Sequence, residues 1–449
     1  MTTATEPLVC RPHPNADYTL AAEAGQVVAV HTIDRTWSGH AVGQALLTHG
    51  DDQYVAYYDA DRWLTIAHRR LGSPKWQRFR LDSRLGWDSH NYVVMAVDGS
   101  GRLHVSGNMH VDPLVYFRQA VAGDASTLER LPYLIDPDME RRVTYPAFLT
   151  GHDGALVFTF RDGSSGDGVN YFCRYDHEAR TWRPLLSAPL FDGEGQRNAY
   201  AEEPKLGPDG WYHVSWVWRD TPDASTNSRL SYMRSPNLLD WQTLDGRQVV
   251  LPVTYDLPGV VIEDVPIRGG LLNGLHKIGF DATGLPTVAY HRYDEAGGSQ
   301  LYVARGEASG WRIRRVTDWQ GRWQFGGGGS LAGGIRLGHT VLLPDGRLRL
   351  DYEYRDTSGE CRGAGGALIL DAETLAPHAE VPVPPAYPAG IAGPARLDYP
   401  DITVRTATDR GAAGDDRYVL RWETLAPHRD QPRVAWPEPQ PLELYHFSR

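Results

Sequence analysis

The stretch Pro208-Asp-Gly-Trp-Tyr-His-Val-Ser-Trp-Val-Trp-Arg-Asp220 joins a tight-turn signal to a run of strand-forming residues that ends in an aromatic residue and an arginine. The Asp-Gly pair favours a turn between strands, and the aromatic and β-branched residues after it favour a strand. Variants of this pattern recur along the chain at residues 51–59, 98–110, 152–162, 281–294, 344–356 and 415–423. Seven copies of one structural unit are therefore predicted.

Each copy is usually preceded by an apolar run, such as residues 92–97, and followed by another short strand, such as residues 301–305. A unit of about four strands has two apolar faces, and repetition around an axis buries both of them. The pattern predicts an all-β protein, a seven-bladed β-propeller formed as a single domain by residues 1–449. The alternative is a two-domain β-sandwich protein.

The chain ends and the later spacings give two further expectations. The N-terminal segment or a C-terminal strand at residues 442–447 should complete a blade and close the ring. The copies are 49 to 74 residues apart, and the wider spacings should contain loop insertions. The stretch at residues 377–400 is rich in proline and glycine, which predicts a loop there and not a domain linker.

Composition limits the classes of partner. The chain of 449 residues is 41% hydrophobic and 22% charged, as in ordinary globular proteins. Its net charge of −11 argues against nucleic acids and anionic membranes, since both need a basic surface. An anionic ligand would have to be held by local arginines. The 14 Trp and 23 Tyr residues suit sugar stacking, but strand packing explains most of them.

The remaining composition signals are negative. Cys10, Cys173 and Cys361 are far apart, which predicts neither a disulfide framework nor a metal site. The N-terminal residues have no basic region followed by an apolar one, so a cytoplasmic location is expected. No apolar run has the length of a membrane span. A monomer is expected.

The mouth of the propeller channel is the expected ligand site, because the first residue of each inner strand should surround it. Counting back from the turns places these residues there: His40, His90, Tyr145, Tyr200, Asn273, Arg336 and Tyr399. The ends of the second strands should reach the same face with His110, Arg161, Arg219, Arg292 and Arg355. His276 and His291 are further candidates for the rim. The predicted ring is polar, aromatic and basic.

This ring favours an elimination over a hydrolysis. A glycosidase needs two carboxylates beside the bond, and Glu202, Glu203 and Asp401 form no clear pair. No sialidase-type repeat box is found. Elimination from a uronate needs a cation or metal to neutralise the sugar carboxylate, a base for the C5 proton and an acid for the leaving oxygen. His90, His110, Tyr145 and Arg161 meet these needs on two adjacent blades.

The same residues carry a family resemblance. The stretch at residues 86–98, followed by Gly107-Asn-Met-His110, resembles the BNR-repeat propeller polysaccharide lyases, which include the ulvan lyases and a fungal rhamnosyl-glucuronate lyase. That family has two histidines about twenty residues apart, then a tyrosine and an arginine sixteen residues later. Here His110 follows His90 by 20 residues and Arg161 follows Tyr145 by 16. The resemblance is strongest over residues 35–220.

The resemblance implies a lyase that cleaves a glucuronate-containing glycan, with rhamnose as the expected neighbouring sugar, by β-elimination. His90, His110, Tyr145 and Arg161 are then the catalytic residues. The predicted substrate-binding residues are His40, Tyr200, Arg219, Asn273, His276 and His291. A histidine is the easier base at neutral pH and Tyr145 the more natural acid, but the reverse assignment stays open. A propeller hydrolase of the sialidase type and a non-catalytic glycan-binding propeller are the alternative functions.

The expectations about ions follow from the departures of this chain from the family. Some ulvan lyases hold a structural zinc with clustered Cys and His residues, and this sequence has no such cluster. No cofactor is required and no catalytic zinc is predicted. The resemblance allows a structural calcium, but no ligands for it can be located. Residues 326–329 are four consecutive glycines without the Lys-Ser/Thr of a phosphate-binding loop, so a glycine-rich strand or loop is expected there.

Overall fold

The computed structural model describes residues 18–21, 25–331, 333–354, 364–411, 414 and 416–448. Within these residues the strands form seven antiparallel sheets, each built from a run of strands that follow one another in the chain. The prediction of an all-β propeller is confirmed. The one exception to chain order is β1 (Gln26–Thr36), which belongs to the last sheet.

The first four sheets contain β2 (Ala45–His49), β3 (Asp52–Tyr58), β4 (Trp63–Arg70) and β5 (Gln77–Arg84); β6 (Val93–Val97), β7 (Leu103–Gly107), β8 (Tyr116–Gln119) and β9 (Leu128–Leu131); β10 (Val143–Thr150), β11 (Leu156–Ser164), β12 (Asp167–Asp176), β13 (Thr181–Pro184) and β14 (Phe191–Asp192); and β15 (Asn198–Ala201), β16 (Lys205–Leu206), β17 (Tyr212–Arg219), β18 (Asn227–Ser235) and β19 (Val261–Glu263).

The last three sheets contain β20 (His276–Phe280), β21 (Pro286–Tyr293), β22 (Ser299–Glu307) and β23 (Gly310–Arg315); β24 (Ile335–Leu342), β25 (Leu348–Tyr354), β26 (Ala364–Leu370) and β27 (Pro377–Val381); and β28 (Ile402–Thr408), β29 (Arg417–Leu425) and β30 (Gln440–Ser448) with β1. Helical structure among the described residues is limited to α1 (Ala389–Ala392) and two 3-10 turns, Ala125–Thr127 and Ala224–Thr226.

The turn that joins the first two strands of a sheet is where the repeat pattern becomes structure. In five sheets a glycine of this turn has φ between 76° and 84°, a left-handed conformation that glycine adopts at little cost. These glycines are the repeat markers Gly101, Gly154, Gly210, Gly284 and Gly346. The Asp-Gly signal therefore gave the correct positions of the hairpins.

The ring closes through both ends of the chain. β1 pairs antiparallel with β30, from Gln26 opposite Ser448 to Thr36 opposite Gln440. The innermost strand of this sheet, β28, contacts β2 of the first sheet, and Asp409 Oδ1 accepts a hydrogen bond from Thr48 N at 2.8 Å. The expectation that a terminal strand completes a blade is confirmed, with one strand from each end.

The core lies between the faces of neighbouring sheets. All eight residues of β17 are buried, because a middle strand has a sheet on either side. This explains the nearly continuous apolar run at residues 211–218. Seven of the 14 tryptophans are buried, including Trp216 and Trp218 on this strand. Packing therefore accounts for much of the aromatic content, as expected.

The proline-rich stretch at residues 377–400 is not one loop, and that prediction is wrong. Residues Pro377–Val381 form β27, the outermost strand of the sixth sheet, and Ala389–Ala392 form α1. A proline is tolerated at the first position of an edge strand, where its missing N–H is not needed.

Two smaller expectations concern membranes and cysteines. No helix among the described residues is long and apolar enough to cross a membrane. Cys173 is a free, buried thiol, whereas Cys10 and Cys361 lie outside the described residues.

Candidate active site

One cavity lies at the N-terminal ends of the inner strands β6, β10, β15 and β20. Its volume is about 310 Å³. Six of the ten predicted site residues line it: His90, His110, Tyr145, Tyr200, Arg219 and Asn273. The fold therefore brings together residues from four consecutive sheets at the predicted mouth of the channel.

His90 and His110 share one carboxylate. Both lie in loops beside β6 and β7, and not on these strands as predicted. His90 Nδ1 is 2.6 Å from Asp88 Oδ1, and His110 Nδ1 is 2.5 Å from Asp88 Oδ2. The two imidazole rings stack with their centroids 4.1 Å apart. If each Nδ1 carries the proton that Asp88 accepts, each Nε2 is left with a free lone pair.

Asp88 is held as a carboxylate. Burial alone would raise its pKa, but the hydrogen bonds from His110 and His90 outweigh burial and hold the pKa well below its usual range. A fixed negative charge therefore orients both imidazoles.

Tyr145 projects into the cavity from a distorted strand. Its φ is 56°, and the register between β10 and β11 shifts between Thr144 and Ala147, which marks a β-bulge. A bulge can re-aim a side chain, and such strain is often found at functional sites. The Tyr145 ring centroid is 5.7 Å from that of His90 and 6.4 Å from that of His110. Tyr145 therefore faces both histidines.

Tyr200 stands between two guanidinium groups. Arg161 Nη1 donates to Tyr200 Oη at 3.3 Å, and Ser165 Oγ is 2.9 Å from the same oxygen. The Arg219 Cζ lies 5.4 Å from the Tyr200 ring centroid. Its guanidinium is fixed by Thr221 O at 3.0 Å and by Asn273 Oδ1 at 3.4 Å. One side of the cavity is therefore cationic, and the Asp88 side is anionic.

The two tyrosines of the cavity differ in acidity. Burial raises the pKa of Tyr145 well above its usual value. Burial acts in the same direction on Tyr200, but the charges of Arg161 and Arg219 outweigh it and lower the pKa of Tyr200 below 10. Tyr145 therefore keeps its proton, whereas Tyr200 is the readier of the two to ionise.

Arg161 lies behind the tyrosines. It is on β11, as predicted, and its side chain is 1% exposed. Its Cζ is 4.8 Å from the Tyr145 ring centroid, and its Nε and Nη2 have no hydrogen-bond partner in the described part of the chain. The adjacent carboxylate, Asp162, is paired with Arg142 at 3.4 Å. Arg161 reaches the cavity through Tyr145 and Tyr200.

His40 is fully buried and joins the site only through Asp430. Its Nε2 is 3.5 Å from Asp430 Oδ1, and Asp430 Oδ2 is 3.8 Å from His90 Nδ1. Burial would raise the pKa of Asp430, but His40 and Ser89 lower it well below its usual range. Direct contact between His40 and a ligand is therefore not supported by its position.

His276 on β20 and His291 on β21 are buried in the core, and the structure does not bring them to the cavity. His276 Nδ1 is 3.0 Å from Ser215 Oγ, and His291 Nδ1 donates to Gly270 O at 2.7 Å. Burial lowers the pKa of His276 to about 3 and that of His291 to about 4. Both are neutral core residues at neutral pH.

These buried imidazoles predict a loss of stability in mild acid. Unfolded histidine titrates near pH 6.5, so below that pH the unfolded chain binds protons that the folded one does not. The free energy of unfolding should therefore decrease by about 1.4 kcal/mol for each unit by which the pH is lowered, for each such group. Replacing His276 with glutamine should remove the contribution of one proton from the pH dependence of the free energy of unfolding. Urea unfolding at pH values between the folded and unfolded pKa of His276 measures this change. An unchanged slope would contradict a neutral, buried His276.

The other predicted rim residues lie elsewhere. Arg292 is paired with Glu263 Oε1 at 3.0 Å, and Arg336 is exposed and 3.6 Å from Glu353. Tyr399 precedes β28 and does not line this cavity. Arg355 lies outside the described residues.

A larger opening of about 1,020 Å³ lies at the C-terminal ends of the inner strands β2, β6 and β10. It has Glu203 in its lining, and Glu202 is paired with Lys277 at 2.7 Å. Burial raises the pKa of both glutamates. We place the active site in the smaller cavity, because His90, His110, Tyr145 and Arg219 converge there.

Asp88, His90 and His110 could also hold a metal ion. Their ligand atoms lie within 4.8 Å of one another. Two imidazoles and one carboxylate suit zinc or another transition metal, whereas calcium prefers oxygen ligands. This set has no regular Cys and His spacing along the chain, so no metal site is predicted from the sequence here.

Three contributors were missed in the sequence: Asp88, Ser165 and Asp430. Asp88 lies two residues before His90, and an aspartate so close to a candidate base is a usable signal. Asp430 is 340 residues from His90 in the chain, so only the closed ring brings the two together.

Comparisons with known proteins agree with this picture. A model of the BNR repeat-containing family matches residues 52–319, which run from β3 of the first sheet to the end of the fifth sheet. The short-isoform ulvan lyase of Alteromonas sp. (strain LOR) is 26% identical over 30% of this chain and 33% of its own length. The long-isoform ulvan lyase of Pseudoalteromonas sp. (strain PLSV) is 27% identical over 26% and 15%. The chain thus spans a third or less of the curated relatives that it matches.

Solved structures share the fold over nearly the whole chain. Polysaccharide lyase Uly1 has a TM-score of 0.58 and 14% identity, with 93% of this chain and 92% of that chain covered. A PL25 ulvan lyase bound to -[GlcA(1-4)Rha3S]- has a TM-score of 0.60 and 16% identity, with 93% and 95% covered. The resemblance to BNR-repeat propeller polysaccharide lyases is confirmed, and the chain belongs to the BNR repeat-containing family.

Proposed function

We propose that this protein is a lyase that cleaves a uronic-acid-containing glycan by β-elimination. The observation that carries the proposal is the polarity of one cavity. A histidine pair oriented by Asp88 faces two tyrosines that lie against Arg161 and Arg219. An elimination from a uronate needs a base and an acid on one ring together with a cation near its carboxylate.

The reaction divides among these groups. The base takes the C5 proton, and the electron pair of that C–H bond forms the C4–C5 double bond. The C4–O bond breaks, and its electron pair leaves on the glycosidic oxygen, which takes a proton from the acid. The products are a 4,5-unsaturated uronate and a free hydroxyl on the departing sugar. Arginine charge stabilises the carboxylate as negative charge develops on it.

The roles follow from the hydrogen bonds. Asp88 holds the Nδ1 atoms of His90 and His110, so an Nε2 is available as the base. Tyr145 keeps its proton and is the acid. Arg219 lines the cavity and would meet the carboxylate, whereas Arg161 acts from behind the tyrosines. Tyr200 and Asn273 would bind the same sugar.

The substrate proposed is an anionic glycan that contains glucuronate, with rhamnose as the neighbouring sugar. The charge of the two arginines supports an acidic sugar. The rhamnose rests on the similarity to the solved ulvan lyase that holds a glucuronate–rhamnose sulfate unit. A neutral glycan would leave Arg161 and Arg219 with hydrogen bonds to neutral groups and without a negatively charged partner.

The test is a screen of glucuronate-containing polysaccharides and oligosaccharides, followed by ultraviolet absorbance of the unsaturated uronate. We expect absorbance to rise with time on a rhamnose–glucuronate glycan. New reducing ends without that absorbance would indicate a hydrolase. Binding without either change would indicate a glycan-binding propeller.

We also expect activity without a bound metal, since Arg161 and Arg219 supply the positive charge that a cation would otherwise supply. Treatment with a chelator should leave turnover unchanged. Added zinc should inhibit, because it would occupy the nitrogen atoms of His90 and His110 beside Asp88. Loss of activity in the chelator that zinc restores would contradict this prediction.

A further inference from the structure

Residues 326–331, named the strap here, form one wall of the candidate active site. They lie in the connection between β23 and β24 and contribute Gly328, Gly329, Ser330 and Leu331 to the lining of the cavity. The catalytic roles assigned above do not use them. Because they form a wall, they limit which part of a glycan can enter the cavity.

One end of the strap is bonded to the fourth sheet. Gly327 N donates to Asp223 Oδ1 at 2.7 Å, and Gly327 O accepts from Ala224 N at 2.9 Å. Asp223 and Ala224 belong to the loop between β17 and β18, and Ala224 itself lines the cavity. The strap therefore abuts the loop that follows Arg219.

The other end reaches the second sheet through Asp430. One carboxylate oxygen of Asp430 accepts from Ser330 N at 2.7 Å, and the other accepts from Ser89 N at 2.9 Å. Ser89 directly precedes His90. Arg429 Nη1 also donates to the carbonyl oxygens of Gly326 and Gly328, each at 3.0 Å. The strap thus runs from the loop of the fourth sheet to Asp430 in the loop of the last sheet, and Asp430 joins it to the second sheet.

Glycine is required at this crossing. Gly329 has φ of 73°, and a Cβ at this position would lie 2.6 Å from Arg429 O. Ser330 Oγ is buried and has no hydrogen-bond partner within the described ranges.

Hydrogen bonds close the rest of the perimeter. Val111 N donates to Val143 O at 3.1 Å between the second and third sheets. Ser165 bonds to Tyr200 between the third and fourth sheets, and Arg219 bonds to Asn273 between the fourth and fifth. A glycan lying across the mouth would have to break this perimeter at two places.

We propose that the strap turns the site into a well that admits only the end of a glycan chain, so that the enzyme releases short units from chain ends. This inference rests on the proposed lyase function and specifies its mode of attack. The cavity volume of 310 Å³ is at the small end of the range of about 300–1,000 Å³ for small-molecule sites. Such a volume suits one or two sugar rings.

The experiment follows product size against bond cleavage. The full chain is incubated with ulvan, with absorbance of the unsaturated uronate read for cleavage and size-exclusion chromatography read for products. We expect short products of one size class from the earliest time points, while the polymer peak shrinks but keeps its position. A ladder of intermediate lengths at early times would overturn the inference.

Paired variants test the strap itself. D223A combined with R429A removes three hydrogen bonds to the strap, and the early fraction of intermediate-length products should rise severalfold. The matched control combines D124A with R347A, because Arg347 lies in the turn between β24 and β25 and pairs with Asp345 at 3.3 Å. Asp124 caps the turn Ala125–Thr127 as Asp223 caps Ala224–Thr226, but it has no contact with the strap. The control should give the wild-type products.

The outcomes separate the two proposals. Absence of unsaturated product from ulvan and from the uronate screen would overturn the lyase function and this inference with it. Unsaturated product in a broad ladder would overturn this inference alone. If the strap variant does not fold by circular dichroism, the early wild-type product sizes still decide.

Discussion

Alanine in place of His90 or His110 should lower kcat on the true substrate by about 10²–10⁴-fold, which is the usual contribution of a general acid or base. Each Nδ1 lies within 2.6 Å of Asp88, so each ring presents its Nε2 to the cavity in a fixed direction. Alanine removes that proton acceptor, and only the other histidine of the pair then remains in the lining of the cavity, in the part of the chain described.

The two variants should differ in a way that identifies the base. Both variants should lower kcat, but loss of the base should leave KM almost unchanged, whereas loss of the other histidine, which also contacts the substrate, should raise KM as well. Replacing Asp88 with asparagine should also lower kcat, because the amide cannot hold both Nδ1 protons as a carboxylate does.

A matched control is available on the outer part of the last sheet. His446 Nε2 is 2.7 Å from Asp416 Oδ1, so it is also a histidine paired with an aspartate, but it lies on β30. Alanine at His446 should leave kcat unchanged. Near-normal turnover by folded His90 and His110 variants would show that the site is assigned to the wrong residues.

The repeat units could be predicted because they are local. A turn glycine such as Gly210 and the apolar run after it lie within one hairpin, so the sequence contains the whole signal. The pairing of β1 with β30 joins residues more than 400 positions apart. The sequence of a terminal strand indicates only that the strand needs a partner. Closure of the ring determines which strand that partner is.

The candidate site could be predicted in part for the same reason. His90, His110 and Tyr145 lie near the start of inner strands or just after second strands, where the repeat determines the direction in which a side chain points. His276 lies 8 residues before its turn glycine, close to the 9 of Tyr145, but the neighbours of His276 and His291 bury both completely. Spacing gives the height of a residue along the channel, and packing decides whether the side chain reaches the cavity.

Asp430 and the strap show most clearly which contacts cannot be predicted from the sequence. Asp430 has φ of 56° in the loop between β29 and β30, and its carboxylate joins Ser89 to Ser330. Each of these residues comes from a different sheet. No local pattern relates three loops that meet only when the ring is closed.

Phenylalanine in place of Tyr145 should lower kcat by about 10²–10⁴-fold, because the ring stays and only the proton donor is lost. Burial keeps Tyr145 protonated, and its bulge in β10 aims it at His90. Tyr212 provides a control on β17, since its hydroxyl donates to Thr150 O at 2.9 Å away from this cavity. Phenylalanine at Tyr212 should preserve kcat.

Phenylalanine in place of Tyr200 should act on the pH profile. The charges of Arg161 and Arg219 lower the pKa of Tyr200, so it is the first of the two tyrosines to lose its proton as pH rises. The phenolate would repel the substrate carboxylate and occupy the arginines that should hold it, so kcat/KM should fall on the alkaline side. In the Tyr200 variant that fall should move to higher pH. An alkaline limb that does not move would exclude Tyr200 as the group that causes it. Full turnover by the Tyr145 variant would show that another group donates the proton to the leaving oxygen.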